Sequence, residues 1–280
     1  MTRVAIVGGG PGGLFTNYLL DKFCDGLFTA TLFEASNRLG GKIMTDSFDK
    51  GPSMFERGVA EYYDYSHFGP DPLKRMITEV MGFDVVPMDG KGVVIDGKIL
   101  NTRRDIKKHF GEATLKALDD FHVKCREMCS PDEYYEGYSG DDNKHPWGGK
   151  TFREVLDEIP DETARKYIEV AARSDVATES QLTNALNGLK NVLMDDPKYL
   201  RLYSIVGGNE KLIEGLAERI SGKVMLQSRV SKVTRNEGGT YTLTVRRKGR
   251  DETHEFDHVV IALPNYWVSQ IEFEGRGARM

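Results

Sequence analysis

Three glycines spaced Gly8-x-Gly10-x-x-Gly13, within the run Gly8-Gly9-Gly10-Pro11-Gly12-Gly13, are the residues of this 280-residue chain whose type and spacing most clearly suit a ligand. They follow a short apolar strand, Val4-Ala5-Ile6-Val7, and precede a segment in which Leu14, Tyr18, Leu19 and Phe23 give a helix one apolar face. The first glycine allows a tight turn, the second lets phosphates reach the backbone, and the third lets helix pack on strand. The helix start then offers unpaired N–H groups and the positive end of its dipole. Twenty-one positions past Gly13, a second apolar strand, roughly Thr29 to Phe33, ends in Glu34. A carboxylate there can accept hydrogen bonds from ribose hydroxyls. Strand, turn, helix, strand and acid in this order predict a site for a dinucleotide pyrophosphate.

The rest of the chain has to supply the frame for that site, and its composition is that of an ordinary globular protein, 39% hydrophobic and 29% charged. A formal net charge of -5 gives no general attraction to nucleic acid or anionic lipid. The sequence has no apolar run near the roughly 20 residues of a membrane-spanning helix. Three cysteines, Cys24, Cys125 and Cys129, are too few and too odd in number for a disulfide framework, which points to a reducing, cytoplasmic setting. Cys125 and Cys129 lack further metal ligands nearby, so packing is their expected role, and no metal is expected.

After Glu34 comes Ala35-Ser36-Asn37-Arg38-Leu39-Gly40-Gly41-Lys42, a paired glycine with a basic residue on each side. Together with Gly8 to Gly13, the pattern Glu34-x-x-x-Arg38-x-Gly40-Gly41-Lys42 resembles the N-terminal signature of the flavin-containing amine oxidase superfamily, which includes monoamine oxidases, protoporphyrinogen oxidases and carotenoid desaturases. The resemblance implies FAD as cofactor, with Gly8, Gly10, Pro11, Gly12 and Gly13 at the pyrophosphate, Glu34 at the adenosine ribose, Ala35 beside it among the cofactor-binding residues, and Arg38, Gly40, Gly41 and Lys42 lining the cofactor channel. Lys42 stands where the family usually has arginine, and it lacks the planar fork of a guanidinium. The segment Gly51-Pro52-Ser53-Met54-Phe55-Glu56-Arg57-Gly58-Val59-Ala60-Glu61-Tyr62 is similar to the one that brings the family's backbone up to the flavin. That likeness puts Gly58, Val59 and Ala60 beside the ring system. Glu56 and Glu61 read as solvated or ion-paired carboxylates.

The fold expected is α/β, a Rossmann-like FAD-binding domain of parallel sheet plus β-meander, interrupted by a mostly helical α+β substrate domain. Its boundaries are expected at 1–65 and 205–280 for the FAD-binding domain and 66–204 for the insertion. Within the insertion, the spacing predicts a helix from Pro72 to Met81, a hairpin over 93–100 turning at Asp96-Gly97, and helices near 103–128, 151–159, 161–174 and 178–194. Thr151 with Glu154 and Thr178 with Gln181 are candidate capping boxes. The stretch from Ser130 to Lys150 has no periodicity and reads as a surface loop, with Tyr134, Tyr135, Tyr138 and Trp147 as candidates for a substrate entrance.

Past Val206-Gly207-Gly208-Asn209, a helix to Ile220 and strands near 223–226, 229–235, 241–247 and 258–262 are expected. This part resembles the family's second cofactor segment, with Val230 at the adenine and Ala262 and Pro264 near the dinucleotide. The family's C-terminal motif, which contacts the flavin ring and ribityl chain, has no counterpart before Met280. The resemblance therefore implies a C-terminally truncated chain, with a complementing C-terminal fragment as one partner, and no catalytic residue is assigned. The function implied is hydride transfer from a C–N or C–C bond of a small organic substrate to flavin N5. A nicotinamide-dependent dehydrogenase and a non-catalytic dinucleotide-binding or interaction module are the alternatives.

Overall fold

The computed structural model describes the chain except for residues 25, 49–52, 89–91, 137–143 and 276–280. Tyr138, Gly51-Pro52 and the tail Arg276 to Met280 therefore lie outside the described residues. The chain divides into two compact units. The first comprises residues 1–62, 72–86 and 204–280, and the second comprises residues 63–71 and 87–203. Residues 72–86, read from sequence as part of the insertion, are in the first unit.

The first unit opens with strand β1 (Thr2–Val7), helix α1 (Pro11–Phe23) and strand β2 (Phe28–Phe33). These belong to a four-stranded sheet ordered Lys223–Met225, β2, β1, His258–Ile261, in which every pairing is parallel. Val4, Ala5, Ile6 and Val7 are all buried, the continuous apolar run that a parallel strand covered on both faces requires. A second sheet is a meander, Arg250–Phe256, Tyr241–Arg247 and Ser228–Arg235, with Glu272–Glu274 added parallel to the last. Phe33, Met225, Val230, Leu243, Val245 and Phe256 share one apolar cluster. The strand Arg250–Phe256 was not expected from sequence. Phe256 is its one buried residue, so the alternation that marks a strand is missing.

Residues 72–86 carry a short helix, Pro72–Arg75, that widens into a π-helical turn over Met76–Val80 before Gly82, where φ is 74°. The expected helix is present but underwound at its end, with the Met81 N–H bonded to the Met76 carbonyl five residues back.

In the second unit the hairpin Val93–Ile95 and Lys98–Leu100 turns through Asp96 and Gly97, both at positive φ as a type I′ turn demands. A helix from Arg103 to Met128 is broken at Gly111, whose φ is 90°. It packs with Phe152–Leu156, Glu162–Val176 and Ala185–Leu193 around Leu118, Phe121, Trp147, Phe152, Leu156 and Leu193. Thr151 and Glu154 form the expected capping box. Thr178 and Gln181 do not cap a helix. Thr183 stays extended, its carbonyl accepting from the Phe152 N–H, and the helix begins at Ala185 with Asn184 as its cap. The reading of Ser130 to Lys150 as loop is corrected by a helix at Pro131–Glu136. Cys125 and Cys129 are free and buried in the helical core, and burial lifts the Cys125 thiol to about 12.

Candidate functional site

The glycine turn is built by contacts that leave no room for side chains on its inner face. Gly8 has φ 112°, and a Cβ there would lie 2.5 Å from the Ala262 carbonyl oxygen. A Cβ on Gly13 would overlap the Gly8 carbonyl oxygen, so the helix approaches the strand at a distance only glycine permits. Gly10 and Gly12 differ from these. A Cβ on Gly10 would meet only the Gly41 Cα, at 3.8 Å, and one on Gly12 only the Ala262 Cβ, at 3.9 Å. Packing does not require glycine at these two positions, and their outer face is open.

Helix α1 starts there without a side-chain cap. Gly10 occupies the N-cap position, Pro11 follows it, and the first helical bond runs from Leu14 N–H to Gly10 O at 3.0 Å. The N–H groups of Gly12 and Gly13 thus have no acceptor within the helix and lie at the positive end of its dipole. Glu34 sits at the end of β2, and its two carboxylate oxygens accept from the Gly9 N–H at 2.8 Å and the Ser36 N–H at 2.7 Å. Each oxygen retains a further lone-pair direction, and the side chain is only half-buried. Ala35 beside it is exposed.

The second glycine pair lies against the first. Gly40 N–H donates to Gly9 O at 2.8 Å, and a Cβ on Gly41 would come 3.1 Å from the Gly10 Cα. Arg38 winds this loop around itself, donating to the carbonyls of Leu39 at 3.0 Å, Ile43 at 3.1 Å and Gly41 at 2.6 Å, with Glu210 at 3.9 Å. Its fork is thus committed to shaping the double-glycine turn. Lys42 keeps an exposed side chain, while its carbonyl accepts from the Val59 N–H at 3.0 Å. Gly58 could carry no Cβ without overlapping that same Lys42 carbonyl.

The structure therefore brings together Gly8, Gly10, Pro11, Gly12, Gly13, Glu34, Gly40, Gly41 and Ala262, and it reaches Gly58, Val59 and Ala60 through Lys42. Val230 is joined less directly. Its strand starts at Ser228, whose N–H donates to Glu34 O at 2.8 Å, and its own side chain is buried in the apolar cluster. Pro264 stands outside this group, as the N-cap of a short helix at Asn265–Val268. Two carboxylates complete the frame, Glu210, which the sequence did not single out, and Glu56, read there as solvated or ion-paired and found instead bonded to a hydroxyl and a backbone N–H. Glu210 accepts from Thr45 N–H at 3.0 Å, and Glu56 accepts from Thr45 Oγ1 at 2.9 Å and Asn209 N–H at 2.8 Å. Gly207-Gly208, both at positive φ just before Asn209, were the signal that the backbone there is tightly constrained.

The aromatic candidates separate within the second unit. Trp147 is 2% exposed and packs beside Phe121 with ring centroids 6.0 Å apart, so it belongs to the helical core and lines no entrance. Tyr134 and Tyr135 are half-buried, with Tyr135 edge-on to Tyr65 at 5.2 Å. Among the described residues, no group of His, Cys, Asp and Glu could hold a metal ion, and no helix is long and apolar enough to cross a membrane.

Two family profiles match this chain. Residues 6–79 match an NAD(P)-binding Rossmann-like domain, and residues 139–277 match the flavin containing amine oxidoreductases. Among solved structures, a triple mutant from a redesign of cofactor binding in putrescine oxidase is similar with a TM-score of 0.69 at 20% identity, over 97% of this chain and 60% of that one. The wild-type putrescine oxidase bound to putrescine gives 0.68 at 21% identity, over 98% and 60%. The chain thus spans about 60% of the length of the oxidase structures it matches.

Proposed function

We propose that this chain, which belongs to the flavin containing amine oxidoreductase family, holds FAD on the open face of its glycine turn and acts in the oxidation of a small organic amine. The observation that carries the reading is the contrast between the two glycine classes. Gly8 and Gly13 are glycine because the protein itself fills the space, whereas Gly10 and Gly12 border space the protein leaves open beside an uncapped helix start. An anionic pyrophosphate fits that face, since N–H groups unpaired within the helix and a positive dipole end favour negative charge. Glu34, fixed by two backbone donors, is aimed to accept the adenosine ribose hydroxyls. Ala35 and Val230 flank the adenosine, Gly40, Gly41, Arg38 and Lys42 line the channel, Gly58 to Ala60 lie beside the ring, and Ala262 borders the dinucleotide.

When bound, FAD supplies the acceptor for a hydride equivalent leaving a C–N or C–C bond of the substrate. The residues of this chain bind and orient. The glycine turn places the pyrophosphate, Glu34 fixes the ribose end, and Arg38 holds the second turn against the first. The free cysteines support a reducing, cytoplasmic setting.

Gly10→Ala is the discriminating test. The new methyl group meets nothing closer than 3.8 Å in the protein, so the melting temperature of the cofactor-free chain should stay where it is. FAD affinity, measured by quenching of flavin fluorescence on titration with the chain, should fall at least tenfold. Equal FAD binding by the two proteins would remove the site assignment, and a chain that takes up NADH in place of FAD would favour the nicotinamide reading.

A further inference from the structure

Recognition of pyrophosphate and ribose leaves unexplained a buried carboxamide of the first unit, Asn209, whose donors and acceptor are all engaged. It is 0% exposed and follows Gly207 and Gly208, whose φ values of 87° and 106° bring the chain round to it. Its Nδ2 donates to the carbonyls of Val59 and Ala60, both at 3.0 Å. Its Oδ1 accepts from Ser204 Oγ and from the Ile205 N–H, again both at 3.0 Å. Its backbone N–H donates to Glu56 Oε1 at 2.8 Å, and its carbonyl accepts from the Tyr62 hydroxyl at 3.2 Å. Burial, with Glu56 nearby, raises the Tyr62 phenol and keeps it protonated as that donor.

The bonds fall on one short segment from two sides. Arg57 N–H donates to Met44 O at 2.9 Å and Val59 N–H to Lys42 O at 3.0 Å, while Asn209 takes the next two carbonyls. The Ala60 N–H is left without a protein acceptor among the described residues, and Ala60 is exposed. A peptide unit is planar and trans, so its C=O and N–H point in opposite directions. Holding the Val59 carbonyl on Asn209 therefore aims the Ala60 N–H away from Asn209. Only a carboxamide can do this from one buried position, since it offers two donors to the carbonyls and an acceptor to Ser204 and Ile205. An aspartate would set oxygen against oxygen.

We propose that Asn209 is a positioning residue for the flavin: by clamping the Val59 and Ala60 carbonyls it fixes the Ala60 N–H as a donor toward the ring. This rests on the placement of Gly58 to Ala60 beside the flavin under the reading above. A donor held against the ring favours the reduced, more electron-rich form over the oxidised one.

The test is Asn209→Ser, which removes the double clamp without adding charge, with Asn209→Asp as a second variant of nearly equal volume should the serine protein fail to fold. Hydrogen exchange of the cofactor-free chain should quicken at least tenfold in the peptide covering residues 57–62. With FAD bound, the ratio of affinities for reduced and oxidised flavin should drop about tenfold, a two-electron midpoint potential lowered by about 30 mV. Faster exchange with an unchanged potential would make Asn209 a purely structural tie and overturn the proposal. Unchanged exchange would overturn it as well. Failure of the reading beneath it shows elsewhere: the unaltered chain would bind no FAD, or Gly10→Ala would bind it equally well.

Discussion

Helix starts in the two units are finished in opposite ways. In the second unit, the helix at Arg103 is capped by Thr102, the one at Phe152 by Thr151, the one at Glu162 by Asp161 and the one at Ala185 by Asn184, each side chain accepting a backbone N–H of the first turn. In the first unit, α1 begins at glycine and proline with no side-chain partner, although serine, threonine or aspartate would have stabilised it. Those four starts of the second unit pair a first-turn donor with a side chain, and α1 does not. The starts at Lys211 and Asn265 also lack a side-chain cap, so the missing cap at α1 takes its meaning from the open glycine face beside it.

Substitutions at these helix starts separate donors reserved for a ligand from donors that merely lack a cap. Gly13→Val forces a side chain onto the Gly8 carbonyl and should cost about 3 kcal/mol or more of stability, read as a collapse of the thermal transition. Gly10→Asp gives α1 the kind of cap found in the second unit. Gly10 has φ −76° and ψ −177°, suitable for a capping residue, so stability should rise by a few tenths of a kcal/mol. FAD affinity should fall on the order of 100-fold, about 2.7 kcal/mol, because a carboxylate takes the anion's place. A stabilised Gly10→Asp chain that still binds FAD would end the idea of reserved donors. Asp161→Ala removes a cap that also accepts from Thr114 Oγ1 at 3.0 Å; about 1–2 kcal/mol of stability should go, with FAD binding untouched. Thr151→Gly should cost only a few tenths of a kcal/mol by denaturant titration, since glycine is itself a tolerable cap.

What could be read from the sequence follows the range of the forces involved. The glycine turn, Glu34 and the Asp96-Gly97 hairpin depend on backbone conformations that a few adjacent residues dictate, and each lies where expected. The cap at Thr178 failed because the true start of the helix depends on Thr183 and Asn184 being held extended beside Thr151, a contact between distant segments. Arg250–Phe256 was invisible because it pairs on one side only and exposes nearly every side chain. Trp147 lay in a stretch rich in polar residues, and only the packing against Phe121 shows it to be core. Arg38 shows the other kind of gap. Its presence at the double glycine was legible, but its use, three carbonyls of its own loop, needed coordinates.

The order of the parallel sheet also bears on how the protein comes into being. Strand β1 lies between β2 and His258–Ile261, and β2 lies between β1 and Lys223–Met225, so each of the first two strands waits for a neighbour made some two hundred residues later. During synthesis, β1 and β2 stand with unpaired edges while the whole helical unit, nearly continuous from 87 to 203, emerges and packs. The glycine turn proposed to hold the cofactor, which needs Ala262 behind Gly8, is among the last parts of the described chain to be assembled.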